Sequence, residues 1–222
     1  MNKKVLVILI TIVLIISIVV IGVVFINRSQ KGGQSANNEQ IKDKKTLQLY
    51  NKILEAKVMT FTKTLDDNNK IFIAIKDNKG YKEITVNGNT QKYVVKDGDT
   101  YYLDETTEKY YIYKSNDTIL TEIREQFENL DNKSFLEGKE KIDGKNYNYE
   151  EVLRYQDFLF NYDLAVKDLE LAKTKLYYSG KKLTYIKTTI GDVEELLKID
   201  ISFKDVKDEY FDIPQNYQNG EE

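Results

Sequence analysis

The chain has 222 residues and a formal net charge of −3, with 31% charged against 41% hydrophobic residues. That balance is typical of a folded domain rather than a disordered chain. Lys3, Lys4 and Arg28 are the only charged residues among the first 28, so the remainder of the chain carries −6. An acidic balance disfavours nucleic acid as a partner, because nucleic-acid binding demands a basic surface.

The segment from Val5 to Ile26 contains no charged residue and predicts a helix of about 33 Å, enough to cross a bilayer core of about 30 Å. It is longer than the apolar core of a cleaved signal peptide, and no small-x-small cleavage site follows it directly. We therefore expect a signal anchor at 5–26 that holds the protein in the cell membrane as a single-pass protein. Residues 1–4 are then a cytoplasmic tail and the C-terminal domain is extracytoplasmic, since long domains translocate largely regardless of charge.

Residues 27–38 read NRSQKGGQSANN and predict a flexible linker. The domain is expected to span 39–217, followed by a tail at 218–222. Its first stretch, 39–56, has the spacing of an amphipathic helix. The apolar residues predicted to share one face of that helix are Ile41, Leu49, Ile53 and Leu54.

From Val58 the hydrophobic period changes to two, which predicts strands. Six strands with very short turns are expected at 58–65, 70–76, 81–86, 91–96, 100–103 and 109–114. They form an antiparallel meander, because parallel strands need long crossovers, and Asn87-Gly88 is the strongest hairpin signal. Further strands are expected at 134–142, 147–155, 174–178, 183–188 and 197–204. The stretch 156–171 fits a strand or a short helix equally well.

A helix is predicted between the sixth and seventh strands, capped by Asp117 or Thr118. Its apolar stripe, at spacings of three and four, consists of Ile119, Leu120, Ile123, Phe127 and Leu130. An amphipathic helix inserted into a meander needs an apolar surface to lie on. We expect that surface to be the inner face of the sheet.

The closing sequence LKIDISFKDVKDEYFDIPQNY ends in an F-x-x-P-x-x-Y pattern formed by Phe211, Pro214 and Tyr217. Together with a leading helix, about ten antiparallel strands and a helical insertion after the sixth strand, it resembles the lipoprotein-carrier half-barrel superfamily, the LolA-like and LppX/LprG-like proteins. The resemblance covers roughly 46–217. It implies an α+β, mainly antiparallel fold: an incomplete, half β-barrel with helices on its concave face and a lipid or acyl chain between them. The peptide anchor departs from those relatives and fits a stationary binder better than a shuttle.

Catalysis is not indicated, because the chain has neither His nor Cys. Paired carboxylates could hydrolyse glycosides, and the candidate pairs are Asp97 with Asp99 and Asp104 with Glu105. Each pair lies at a predicted hairpin turn, where Asp is a common turn former. We therefore expect no enzyme, no cofactor and no metal site.

The chain has 17 tyrosines, and the hairpin about Thr106-Thr107 is expected to place Tyr102 across from Tyr111. Such rings could form a stacking surface for sugars or for a partner chain. Cross-strand aromatic pairs also stabilise sheets by roughly 0.2–1 kcal/mol, and the structural role is the favoured interpretation.

The candidate ligand-binding residues are apolar side chains expected on the concave face: Ile73, Ile84, Ile119, Ile123, Phe127 and Ile201. They form either a plain core or the wall of a lipid cavity. Sequence alone favours the core, and the resemblance adds support to the cavity without making it the favoured interpretation. The expected function is non-catalytic binding of a lipid or a lipoprotein acyl chain. The alternative is a cell-surface interaction or sensor module with the same fold and a filled core.

Overall fold

The computed structural model describes residues 44–114, 123, 124, 127, 130, 134–153 and 172–220. All of them belong to one compact unit, Glu39–Glu222. The predicted tail 1–4, anchor 5–26 and linker 27–38 lie outside the described residues, as does the ambiguous stretch 156–171. Within the described part, no helix is both long and apolar enough to cross a membrane, and the anchor stays a prediction.

The described strands form one open sheet of twelve strands in the order β12-β6-β5-β4-β3-β2-β1-β11-β10-β9-β8-β7. Their bounds are β1 Val58–Asp66, β2 Asn69–Lys76, β3 Lys79–Val86, β4 Asn89–Lys96, β5 Asp99–Asp104, β6 Lys109–Lys114, β7 Phe135–Ile142, β8 Lys145–Leu153, β9 Lys173–Ser179, β10 Lys182–Ile190, β11 Val193–Ser202 and β12 Gln218–Asn219. All pairs formed among β1 to β11 are antiparallel. The predicted mainly antiparallel sheet is confirmed, and its open order fits an incomplete barrel.

Two-residue turns join several of the hairpins, and their sequences explain why. Asn87 and Gly88 have φ of 51° and 76°, and Asp143 and Gly144 have φ of 48° and 80°. A type I′ turn needs positive φ at both central residues, which Asn, Asp and Gly tolerate best. These turns fix the register of the strands on either side.

The pairing of β1 with β11 joins the first and last long strands of the domain. Phe61 of β1 lies opposite Ile201 of β11 on one side and opposite Ile73 of β2 on the other. Directly opposed residues share a face of the sheet, so these three side chains form one row. We call the face that carries this row the helical face, and the other side the opposite face.

Helix α1 spans Lys45–Glu55 and packs on the helical face. Its buried residues are Thr46, Leu47 and Ile53. The prediction that Leu54 shares this buried face is wrong: Leu54 is 41% exposed. The helix is rotated so that positions 46, 47, 50 and 53 face the sheet, at the three- and four-residue spacing of one helical side.

The opposite face carries two smaller apolar clusters. One joins Val94 and Leu103 to Val206 and Phe211, where a 3-10 turn at Asp208–Phe211 folds back on the sheet. The other joins Ile142, Tyr147 and Tyr177 on the strands at the far side.

The chain end differs from the simple tail expected at 218–222. Gln218 and Asn219 form β12, which pairs in parallel with Lys109 and Tyr110 of β6. Two backbone bonds hold this end, from Gln218 N–H to Glu108 O (3.0 Å) and from Gly220 N–H to Tyr110 O (2.9 Å). The pairing satisfies part of the outer edge of β6.

Candidate functional site

The structure brings four of the six predicted ligand-binding residues into one apolar cluster on the helical face. Ile73, Ile123 and Phe127 are buried there, and Ile201 packs against them half-buried. Ile84 lies on the same face opposite Ile71, but it is half-buried and stands outside the cluster. Ile119 lies outside the described residues.

The segment between β6 and β7 covers this cluster with three side chains. Ile123, Phe127 and Leu130 are each fully buried, at 0% exposure. Their spacing of four and three residues places them on one side of a helix. They belong to the same buried cluster as Phe61 and Ile73, so this segment and α1 share one face of the sheet.

Helix α1 is fixed to the sheet by a carboxylate from a distant strand. Glu150 of β8 accepts hydrogen bonds from the backbone N–H groups of Lys45 (2.8 Å) and Thr46 (2.9 Å). The residue that precedes the helix, Lys44, makes no side-chain cap, so Glu150 takes over the role of an N-cap. A negative charge at a helix N-terminus is also favoured by the helix dipole.

A second buried contact joins α1 to β9. The Thr46 Oγ1 and Tyr178 hydroxyl oxygens lie 2.7 Å apart, and either hydroxyl can donate. Burial raises the pKa of Tyr178 well above its ordinary value, although the Thr46 bond opposes that shift. The Tyr178 hydroxyl is therefore neutral, and it completes a directed attachment of α1 to the sheet.

Charged side chains are also buried on the helical face, which the sequence analysis missed. Lys63 of β1 is 1% exposed and Lys82 of β3 is 7% exposed, and both interact with other groups of the chain. The alternation of the strand could have predicted the burial of Lys63, because this residue follows Met59 and Phe61 at a spacing of two. Arg124, on the covering segment, has a buried Nε atom without a hydrogen-bond partner.

The predicted pairing of Tyr102 with Tyr111 is confirmed. Their rings are stacked at 6.2 Å between centroids, and Tyr93 extends the row at 5.4 Å from Tyr102. The Tyr93 hydroxyl donates to Gln91 Oε1 at 3.1 Å, and burial raises the pKa of Tyr93 to about 12. The row lies on the helical face and continues the line of Ile73 and Lys82 across the sheet.

An ionic cluster occupies the opposite face. Glu140 accepts hydrogen bonds from Lys175 Nζ (2.7 Å), Lys187 Nζ (2.7 Å) and the Tyr177 hydroxyl (2.9 Å). Burial by itself would raise the pKa of Glu140, but the bonds from Lys175, Lys187 and Tyr177 outweigh it and lower that pKa to about 2. Because each charge is paired, the cluster is an ion-pair network and presents no free acid or base.

Two of the carboxylates considered for catalysis lie in turns, and Glu105 instead forms an ion pair with Lys92. Asp104 accepts hydrogen bonds from the backbone N–H groups of Thr106 (2.9 Å) and Thr107 (3.3 Å). Asp97 has a φ of 55° at the first position of its turn. Among the described residues, no group of three or more acidic side chains is arranged to hold a metal ion.

Two open clefts lined by described residues are polar. One, of about 610 Å³, is lined by Lys76, Asp97 and Asp208 among others. The second, of about 320 Å³, lies beside the start of α1 and is lined by Lys45, Glu137 and Tyr149 among others. Charged side chains line both clefts, so the apolar cluster of the helical face is the better candidate site for an acyl chain.

No protein-family model matches the chain, and no curated protein sequence matches it. Among solved structures, the chain is similar to the lipoprotein LppX of Mycobacterium tuberculosis, at 11% sequence identity and a TM-score of 0.36. The match covers 70% of this chain and 91% of the LppX chain. Membership of the lipoprotein-carrier superfamily stays a prediction.

Proposed function

We propose that this protein is a membrane-anchored, extracytoplasmic binding protein for a hydrophobic ligand, a lipid or a lipoprotein acyl chain, and that it is not an enzyme. One observation carries the proposal. The apolar row of Phe61, Ile73 and Ile201 is covered by Ile123, Phe127 and Leu130, which belong to a segment between two strands. A ligand that replaces those three side chains would leave the sheet itself unchanged.

The energetics set a minimum length for such a ligand. Exposing three large apolar side chains costs about 1.5–3 kcal/mol each, or about 5–9 kcal/mol together. A buried methylene contributes about 0.8 kcal/mol, so about 6 to 11 methylenes are needed to offset the loss. Long acyl chains meet that requirement and small apolar metabolites do not.

The first test is native mass spectrometry of the compact unit Glu39–Glu222, purified from a bacterial host without detergent, followed by organic extraction. We expect an additional mass on the protein that is released into the organic phase as lipid. A clean unliganded mass, with no uptake after mixing with lipid, contradicts the proposal.

The alternative is a cell-surface interaction or sensor module. It is favoured by the complete burial of Ile123, Phe127 and Leu130, which shows that side chains fill the core at those positions. A clean unliganded mass supports this second function. Crosslinking of the full chain in native membranes would then identify the protein partner.

A further inference from the structure

The apolar surface of the helical face is closed at one end of β1 and β2. Near the start of β1, Met59 stands opposite Ile75, and both side chains are buried. The next pair along these strands on the same face, Phe61 with Ile73, is buried as well. Close-packed side chains therefore fill this end of the apolar row.

The same surface reaches solvent at the other end of these strands. Ile71 of β2 stands opposite Ile84 of β3, and both are half-buried. Val86, two residues beyond Ile84 on the same face, is 40% exposed, and Leu65 at the end of β1 is 37% exposed. We call Leu65, Ile71, Ile84 and Val86 the open margin. Grouped exposed apolar side chains of this kind mark interaction sites, whereas scattered ones do not.

A polar row interrupts the apolar surface at the same end of the neighbouring strands. Two residues beyond Leu197 on β11, Glu195 stands opposite Thr188 of β10, and both are buried. The hydroxyl oxygens of Thr188 and Thr174 lie 3.2 Å apart. Val193 is exposed on the far side of this row. The apolar path from the core to solvent is therefore broken over β10 and β11 and continuous over β2 and β3.

Hydrogen bonds hold the turns next to the open margin in place. The backbone N–H of Asn87 donates to Asn69 Oδ1 at 3.1 Å, and the N–H of Gly88 donates to the carbonyl oxygen of Asn68 at 3.1 Å. These bonds join the turn between β1 and β2 to the turn between β3 and β4. A preformed apolar surface of this kind costs little ordering when a ligand binds.

We propose that the acyl chain of the ligand enters and leaves the core over the open margin. The chain runs past Ile71 toward Ile73, between Lys63 and Lys82, which both interact with other groups of the protein. Val86 lies four residues along β3 from Lys82, so this path is about 13 Å long. The polar head group stays outside at the turns, because an unpaired polar group is costly to bury. This inference rests on the proposed function, and it adds the route and orientation of the ligand.

The test uses the full chain in nanodiscs of phosphatidylcholine that contain a trace of photoreactive phosphatidylglycerol. The photoreactive group lies next to the ester in one reagent and at the end of the acyl chain in the other. After illumination, crosslinked peptides are mapped, and those of the predicted anchor are counted separately. We expect the ester reagent to label the open margin and the chain-end reagent to label Phe61, Ile73 and residues 123–130.

Variants connect entry to the open margin. Ile84→Asn should reduce labelling by the chain-end reagent about tenfold, because a lost apolar contact of about 1.4 kcal/mol is tenfold in a dissociation constant. Val86→Asn removes about half as much contact and should reduce this labelling about threefold. Because Val86 is exposed, this variant decides if Ile84→Asn fails to fold. Val193→Asn is the matched control, since Val193 is 45% exposed on the same face but lies beyond the polar row. It should leave the labelling unchanged.

The outcomes are distinguishable. If the chain-end reagent labels Phe61 and Ile73 and neither Ile84→Asn nor Val86→Asn changes this labelling, the open margin is not the entry and the proposed function stands. Labelling of Ile73 by the ester reagent and of the margin by the chain-end reagent overturns the proposed route. No crosslinking of the helical face by either reagent overturns both the route and the proposed function. A dimer of the full chain that dissociates in Val86→Asn would show that a second copy covers the margin, and would also overturn the route.

Discussion

Helix α1 and the segment around Phe127 cover the same face of the sheet, and the contacts made by their described residues differ. α1 is held by buried, directed hydrogen bonds from Glu150 and Tyr178 in addition to its apolar side chains. Among the described residues of the other segment, three apolar side chains are buried and the Nε of Arg124 lacks a hydrogen-bond partner. Directed bonds specify one position, whereas an apolar contact can be replaced by another apolar surface. Under the proposed function, α1 is the permanent cover of this face and the segment around Phe127 is the exchangeable one.

The largest expected effect comes from truncating Phe127, the large buried side chain of the exchangeable cover. Phe127→Ala should lower the free energy of unfolding of the unliganded domain by about 3–5 kcal/mol, because a large cavity replaces a fully buried ring. With an acyl ligand bound, the loss should be much smaller, since the ligand already occupies that space. Urea unfolding with and without ligand measures both values.

Phe61→Ala is the matched control for that experiment. Phe61 is equally buried but lies on β1, in the sheet itself. Its loss should cost about 3–5 kcal/mol in both states. If Phe127→Ala also costs the same with and without lipid, Phe127 belongs to a permanent core.

Removal of the distant cap should be the next largest effect. Glu150→Ala leaves the N–H groups of Lys45 and Thr46 without their acceptor at a buried site, which should cost about 3 kcal/mol. Hydrogen exchange should rise first at the α1 amides, and Glu150→Gln, which keeps one acceptor oxygen, should lose less. Glu137→Gln is the control, because it removes only a largely exposed ion pair with Lys44 and should cost under about 1 kcal/mol. Unchanged exchange of α1 in Glu150→Ala would contradict its role as a cap.

A smaller effect isolates the hydroxyl contact. Tyr178→Phe and Thr46→Val each remove one partner of the 2.7 Å bond and should each cost about 1–2 kcal/mol. Because each single variant already breaks the same bond, the double variant should cost less than the sum of the single ones. Additive losses in urea unfolding would show that the bond does not contribute to the attachment of α1.

Local patterns predicted the sheet because strand alternation and turn chemistry act over short distances. The Asn87-Gly88 and Asp143-Gly144 turns, and the pairing of Tyr102 with Tyr111, could be identified from neighbouring residues alone. Partners that lie far apart in the sequence could not be identified in this way. Nothing near Glu150 in the sequence indicates that its carboxylate caps a helix more than a hundred residues away.

The same limit applies to the candidate site. Spacing predicted that Ile123 and Phe127 face a sheet, and the structure places both in the same buried cluster as Ile73. Leu54 was misplaced because α1 turns Thr46, Leu47 and Ile53 toward the sheet, which leaves Leu54 on the exposed side. Lys63 and Lys82 were missed because lysine was taken as a surface residue, while the strand period places both on the helical face.

The smallest expected effect concerns Glu140, which lies on the opposite face of the sheet from α1 and the segment around Phe127. Glu140 has an ordinary pKa of 4.5 that its bonds lower to about 2 in the folded protein. A carboxyl with a depressed folded-state pKa stabilises the fold above its unfolded pKa, and that contribution is lost as the pH falls from about 4.5 to about 2. Its side chain is 30% exposed, so screening reduces the contribution to about 1 kcal/mol. Glu140→Gln should flatten the dependence of stability on pH within this window, and Lys187→Met should flatten it partly. Lipid uptake should be unchanged in both variants, because neither residue touches the helical face; reduced uptake would show that the two faces of the sheet are coupled.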